Sequence, residues 1–125
     1  MELNKYNYDV QVSRVVDGDT VDVMIDLGFN THIKRRVRMY GINTPETRTR
    51  DLKEKEKGLA AKARLKELVD NNKIVMRSWG KGKFGRVLGE LFIEETSEIG
   101  ATYKDINNIL VKEGHAEHYM GEKRK

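Results

Sequence analysis

Apolar and polar positions alternate with a period of two through most of the first forty residues. Tyr6, Tyr8, Val10 and Val12 alternate with polar neighbours, the pattern of a half-buried strand. After "DGD" the phase restarts. Val21, Val23, Ile25 and Leu27 share one face, and Asp22 and Asp26 fall on the other. "VDGD", Val16 to Asp19, is predicted to be the turn between these two antiparallel strands. A third run, His32 to Ile42, puts Ile33, Val37 and Met39 on one face and Lys34, Arg36 and Arg38 on the other.

The period then changes to that of a helix. Lys55 to Asp70, "KEKGLAAKARLKELVD", carries Ala61, Leu65 and Leu68 as a core stripe and its lysines as a wet face. "DNN", Asp70 to Asn72, stops it. Lys73–Trp79 and Arg86–Glu94 read as two more strands joined by "GKGKFG". Residues 94–101, "EETSEIGA", read as a mobile loop. A second helix is expected next, capped by Thr102 with Asp105, burying Ile106, Ile109 and Leu110 and ending at Gly114. The tail after Gly121 is expected to fray.

The resulting order, β-β-β-α-β-β-α, fits a mostly β, α+β domain. Its two candidate forms are a five-stranded barrel of the oligonucleotide/oligosaccharide-binding (OB) type with helices, and a split α+β sandwich. The element list leaves both open. A length of 125 residues suits a single domain, 1–125, with a core of its own.

Composition narrows the chemistry. With no cysteine, disulfides and thiolate metal sites are excluded. No apolar run approaches the ~20 residues of a membrane span, and the polar N-terminus carries no secretory leader. The chain as given therefore suits the cytoplasm, with a secreted form whose leader has been trimmed as the alternative. Lys and Arg number 24 against 20 Asp and Glu, a formal charge of +4. More telling are the basic runs "IKRRVR", "TRTR", "KGKFGR" and "EKRK". They point to a polyanion, and without an amphipathic basic helix they point to nucleic acid, not to a membrane.

Two short stretches carry candidate chemistry. Asp19 has the parity of Val21, Val23 and Ile25, so its carboxylate is directed toward the core, where it needs a partner such as a cation. In "NTPE" the single proline, Pro45, holds Thr44 extended and keeps its carbonyl out of a helical ladder. Asn43 and Glu46 bring two more oxygen-bearing side chains to that corner. Arg38 and Arg86 are natural two-pronged donors to phosphate. His32, His115 and His118 lack a third ligand. His115 and His118, three apart, fit a shared helical face, and all three read as surface or packing residues.

"VVDGDTV", "RMYGINTPE", "KFGR" and "LVKEGHA", in that order, resemble the staphylococcal nuclease (thermonuclease) family over about Tyr8 to Tyr119. The resemblance favours the five-stranded barrel. It implies a Ca²⁺-dependent nuclease acting on DNA and/or RNA with little sequence preference, as a monomer, with no membrane and no small-molecule cofactor. It implies Asp19, Asn43 and the Thr44 carbonyl at the metal, with Asp17 behind them. Glu46 would be the general base, and Arg38 and Arg86 would hold the scissile phosphate. Lys83 and Phe84 match a substrate-contacting Lys-Tyr pair, of which only packing carries over at Phe84. Tyr119 sits near the family's base-stacking tyrosine, offset by one residue.

One ligand departs from the family pattern. Asn43 stands where an aspartate is usual, which keeps one oxygen acceptor and removes a charge. Calcium affinity in the about 10⁻⁴–10⁻³ M range of low-charge sites is expected. Two other readings follow: a silent nucleic-acid-binding module of the same fold, or a basic barrel that binds another protein.

Overall fold

The computed structural model describes residues 6–81 and 85–119. Eight strands and two helices follow in the order β1 (Asn7–Asp17), β2 (Thr20–Gly28), β3 (Thr31–Met39), β4 (Ile42–Asn43), α1 (Leu52–Asp70), β5 (Lys73–Lys81), β6 (Val87–Ser97), β7 (Gly100–Asp105), α2 (Ile106–Lys112) and β8 (Glu117–His118). The large sheet runs β3-β2-β1-β5-β6-β7, and an additional pairing of β3 with β6 closes its first five strands into a barrel. The closing pair is parallel, Val37 to Met39 against Val87 to Gly89. The fold is thus the five-stranded OB-type barrel with helices.

The strand phases hold except at Tyr6 and Leu27, which were placed on the core face and are exposed. Val21, Val23, Ile25, Val37 and Met39 are buried, together with Ile74, Met76, Leu91 and Ile93. In β1 the register shifts between Val12 and Arg14 and again between Val15 and Asp17. These irregularities re-phase the strand, so that Val15 joins the core and the chain turns sharply into Gly18. Helix α1 buries Ala61, Leu65, Leu68 and Val69 on one stripe, and also Gly58. Truncating a core leucine such as Leu65 to alanine in this position costs about 2–5 kcal/mol.

Four boundaries differ from the sequence expectations. Residues 94–101 are not a loop: β6 runs on to Ser97 and a tight turn leads into β7. That hairpin overhangs the barrel, where polar side chains cost a strand nothing. Thr102 consequently lies in β7 opposite Glu95 and caps no helix. The cap of α2 is Asp105, whose side chain accepts from the Asn107 N–H. The third strand stops at Met39, and Ile42–Asn43 forms a separate strand against β8, Ile42 opposite His118 and Asn43 opposite Glu117. Finally, α1 starts at Leu52, one turn early, because Asp51 accepts from the N–H groups of Lys53 and Glu54. The tail after Gly121 lies outside the described residues.

Among the described residues no helix is long and apolar enough to cross a membrane.

Candidate active site

An open cleft of about 1420 Å³ lies where the β1–β2 turn, the β4–α1 loop, the start of α1, Arg86 and the segment after α2 meet. Its lining includes Asp17, Asp19, Arg38, Asn43, Thr44, Glu46 and Arg86. Residues far apart in sequence therefore share one concavity. It is larger than the ~300–1,000 Å³ of small-molecule pockets, which suits a chain-like substrate.

The turn Asp17-Gly18-Asp19 is placed by contact with α1. A Cβ on Gly18 would stand 2.8 Å from the Cβ of Ala61 and 3.0 Å from Thr44 Oγ1, so only glycine lets the turn approach that closely. The carboxylates then diverge. Asp17 accepts a short hydrogen bond from the Thr47 hydroxyl. Asp19 is buried in the turn just ahead of β2, and so is its neighbour Thr20, so its burial comes from the turn and not from strand parity. Its Oδ1 accepts from the Thr20 hydroxyl at 3.0 Å, and its Oδ2 accepts from the Thr44 N–H at 3.1 Å. The Thr44 bond ties the β1–β2 turn to "NTPE".

Arg38 is the hub. Its Nη1 donates to the carbonyls of Met39 at 2.8 Å and Ile42 at 3.0 Å, and its Nη2 donates to Asn43 Oδ1 at 2.8 Å. The same Nη2 lies 3.4 Å from Asp19 Oδ2. The guanidinium therefore lies within reach of both side chains that the resemblance implies at a metal. It also fixes the Tyr40–Gly41 turn by its two carbonyl bonds.

Glu46 is exposed at the cleft. Its backbone is clamped from two sides. Its N–H donates to Glu54 Oε2 at 3.3 Å. On the other side Gly58 of α1 presses on it: a Cβ there would stand 2.6 Å from the Glu46 carbonyl oxygen and 2.8 Å from that of Pro45. Gly58 is the residue that sequence reading missed. A glycine inside a helix costs about 1 kcal/mol relative to alanine, and that misfit with its surroundings is the signal for it.

The lining carries both signs of charge. Arg36, Arg48, Lys53 and Lys57 line the cleft beside Arg38 and Arg86, and Asp51, Glu54 and Glu117 line it beside Asp17, Asp19 and Glu46. Arg36 is partly neutralised by a two-pronged pair with Asp22, at 2.8 and 3.2 Å, which holds the Asp22 carboxyl below its ordinary range. His115 lines the cleft beyond the end of α2, and His118 lies in β8, so the two do not share a helical face. Tyr119 stands outside the lining, with its N–H donating to the Gly41 carbonyl at 2.8 Å. Lys83 and Phe84 lie outside the described residues.

Residues 36–125 match the model of the staphylococcal nuclease homologue family. The chain belongs to the staphylococcal nuclease family. The matched range begins at Arg36 and takes in "NTPE", Arg86 and the segment after α2, while the Asp17–Asp19 turn lies before it. Among curated relatives, the SPbeta prophage-derived endonuclease YokF of Bacillus subtilis (strain 168) is 33% identical over 112 residues, 86% of this chain and 33% of that protein. Micrococcal nuclease of Shigella flexneri is 30% identical over 107 residues, 85% of this chain and 55% of that protein. An uncharacterized endonuclease of Escherichia coli is 26% identical over 106 residues, covering 85% and 58%. The chain thus spans about a third to somewhat over half the length of these relatives.

The donor set can be tested against a cation. Asp19 offers a buried carboxylate, Asn43 an amide oxygen and Thr44 a backbone carbonyl, all hard oxygens of the kind Ca²⁺ prefers. Among the described residues no three Asp, Glu or His side chains converge as a metal-binding group. The oxygens are thus of a type that suits a hard cation, but the Arg38 guanidinium already takes Asn43 Oδ1 and lies 3.4 Å from Asp19 Oδ2.

Proposed function

We propose that the chain is a nuclease that hydrolyses phosphodiester bonds of DNA and/or RNA with little sequence preference and depends on Ca²⁺. The observation that carries this reading is the convergence of Asp19, Arg38, Glu46 and Arg86 on one open cleft. Membership of a family whose curated relatives are named endonucleases supports it.

The chain's own residues divide the work as follows. Arg38 and Arg86 take the scissile phosphate, and their forks spread over the oxygens on which charge accumulates. To do so, Arg38 exchanges the neutral amide of Asn43 for an anion, a better partner for a guanidinium. Glu46, held by Gly58 and Glu54, takes a proton from the attacking water as the new P–O bond forms and the bond to the leaving sugar oxygen breaks. Such a positioned base contributes about 10²–10⁴-fold. Asp19, Asn43 and Thr44 would hold calcium, whose charge supports the phosphoryl oxygens when bound. Asp17, anchored by Thr47, stiffens the turn that presents Asp19. Lys83, Phe84 and Tyr119 are assigned to substrate by the same reading.

The test is digestion of plasmid and single-stranded RNA in millimolar Ca²⁺ and in EDTA. Cleavage in calcium, lost in EDTA, is expected. A second reading, a silent nucleic-acid-binding module, draws on Asn43, whose oxygen is engaged by Arg38. Binding of single strands without turnover in millimolar Ca²⁺ would favour it.

A further inference from the structure

Trp79, the single tryptophan of the chain, is half exposed at 51%. It is set outward by a bulge. Ser78 pairs with Gly89 and Gly80 pairs with Leu88, which leaves Trp79 as the extra residue of β5. Gly80, at φ +105°, supplies the backbone conformation that a side chain would resist. The indole stacks on Tyr40 with ring centroids 4.6 Å apart and planes 15° from parallel. Its Nε1 donates to Glu90 Oε1 at 2.6 Å, and the negative charge of Glu90 is matched by Arg77 at 3.2 Å. The Arg77 guanidinium also lies 5.9 Å from the indole centroid.

We propose that Tyr40 and Trp79 form a stacking platform for an unpaired base of single-stranded nucleic acid, next to the cleft. This rests on the nucleic-acid reading above and names the strand form that the cleft would prefer. Three observations select that occupant. First, the platform adjoins the site in the chain: Tyr40 follows the end of β3, two residues after Arg38 and three before Asn43, both of which line the cleft, and its N–H donates to the Gly89 carbonyl at 2.8 Å. Secondly, the platform is rigid before any ligand arrives. Asn107 Nδ2 donates to the Tyr40 carbonyl at 2.6 Å and the Tyr119 N–H donates to that of Gly41. Preorganisation of this kind lowers the cost of binding. Thirdly, cations accompany the rings: the Arg77 guanidinium lies 5.9 Å from the indole centroid, and exposed Lys81 is two residues on from Trp79. An aromatic face beside a cationic track is the pairing that holds single strands, since every base has a π-face. Duplex bases are already stacked and cannot use it.

The platform is tested with the full chain in EDTA, which holds cleavage off, using a labelled thymidine oligonucleotide and a duplex of the same length. Anisotropy reports binding, and indole emission reports only Trp79. In the unmodified chain the single strand is expected to quench the indole in step with the anisotropy. Trp79→Ala is expected to weaken single-strand binding roughly 5- to 160-fold, the range of one lost base–aromatic stack, and to leave duplex binding unchanged. Trp79→Phe is expected to recover most of the loss. Single-strand binding with unchanged indole emission overturns the platform, and so does an equal loss of both strand forms in Trp79→Ala. The indole readout needs no variant, so a misfolded variant leaves it intact. No binding of either form to the unmodified chain would overturn the nucleic-acid reading itself, which is a separate result.

Discussion

The guanidinium of Arg38 donates from Nη2 to Oδ1 of Asn43 at 2.8 Å, so the residue assigned to phosphate is tied to one assigned to metal. An aspartate at position 43 would make that contact an ion pair and also double the carboxylates facing a cation. The two effects oppose each other. The Arg38 side chain is only 17% exposed, so the pair is worth more than a surface salt bridge, about 1.5–3 kcal/mol as a charged hydrogen bond. It replaces a bond already made to Asn43, however, whereas metal affinity follows ligand charge directly.

Asn43→Asp is therefore expected to lower the calcium concentration for half-maximal cleavage, by about tenfold if the added charge is worth ~1.4 kcal/mol net. Calcium titration of turnover checks this. A variant that needs more calcium than the unmodified chain would show that the Arg38 pair wins.

Arg38→Lys keeps the charge and removes the fork. A lysine ammonium has no planar pair of donors to reproduce the bonds to the Met39 and Ile42 carbonyls together with the one to Asn43. Turnover is expected to fall by at least about 10²-fold, the scale of losing one preorganised donor to developing charge. Stability should also drop, by about 1–3 kcal/mol, from carbonyls left short of a partner. Single-turnover rates and denaturant melts separate the two.

Gly58→Ala tests the clamp on Glu46. Alanine gains about 1 kcal/mol of helix propensity. Against that, its Cβ would stand 2.6 Å from the Glu46 carbonyl oxygen, a backbone atom that cannot swing away. Overpacking of this kind costs about 1–3 kcal/mol, so the clash wins. The variant is expected to melt lower and to lose turnover beyond its unfolded fraction, because the displaced segment carries the base.

Asp105 provides the pH dependence. Burial, followed by the nearby Glu90 carboxylate, raises its carboxyl above the usual range. The folded state then binds more protons than the unfolded one between pH ~3.8 and the raised value. Stability falls as pH rises through that window, and the penalty is complete above it. Asp105→Asn keeps a side-chain oxygen for the Asn107 N–H and removes the penalty. It is expected to raise the melting temperature at pH 7 and to lose that advantage toward pH 4, as thermal melts at both values would show.

The local periods of the chain made its strands and helices legible, while the choice of the barrel and the roles of the site residues came from the family resemblance. The burial of Asp19 was anticipated from its parity with Val21 and Val23, but the strand begins one residue later and Thr20, of the other parity, is buried as well, so the turn and not the strand places it. The β6–β7 overhang was not legible, because polar residues such as Glu95 and Thr102 pair there outside any core. Gly58 and the Arg38–Asn43 bond were hidden for a different reason. Each is a contact between elements, fixed by how α1 and the β4 segment are laid against the barrel, and no spacing within either element encodes it.

The most direct test of the central claim is single-stranded DNA and RNA cleavage by Glu46→Gln beside the unmodified chain at millimolar Ca²⁺, with oligonucleotide affinity measured in parallel. Glutamine keeps the shape and cannot take the proton. The account predicts a loss of about 10²–10⁴-fold in turnover at unchanged affinity. Equal cleavage by the two proteins would contradict it.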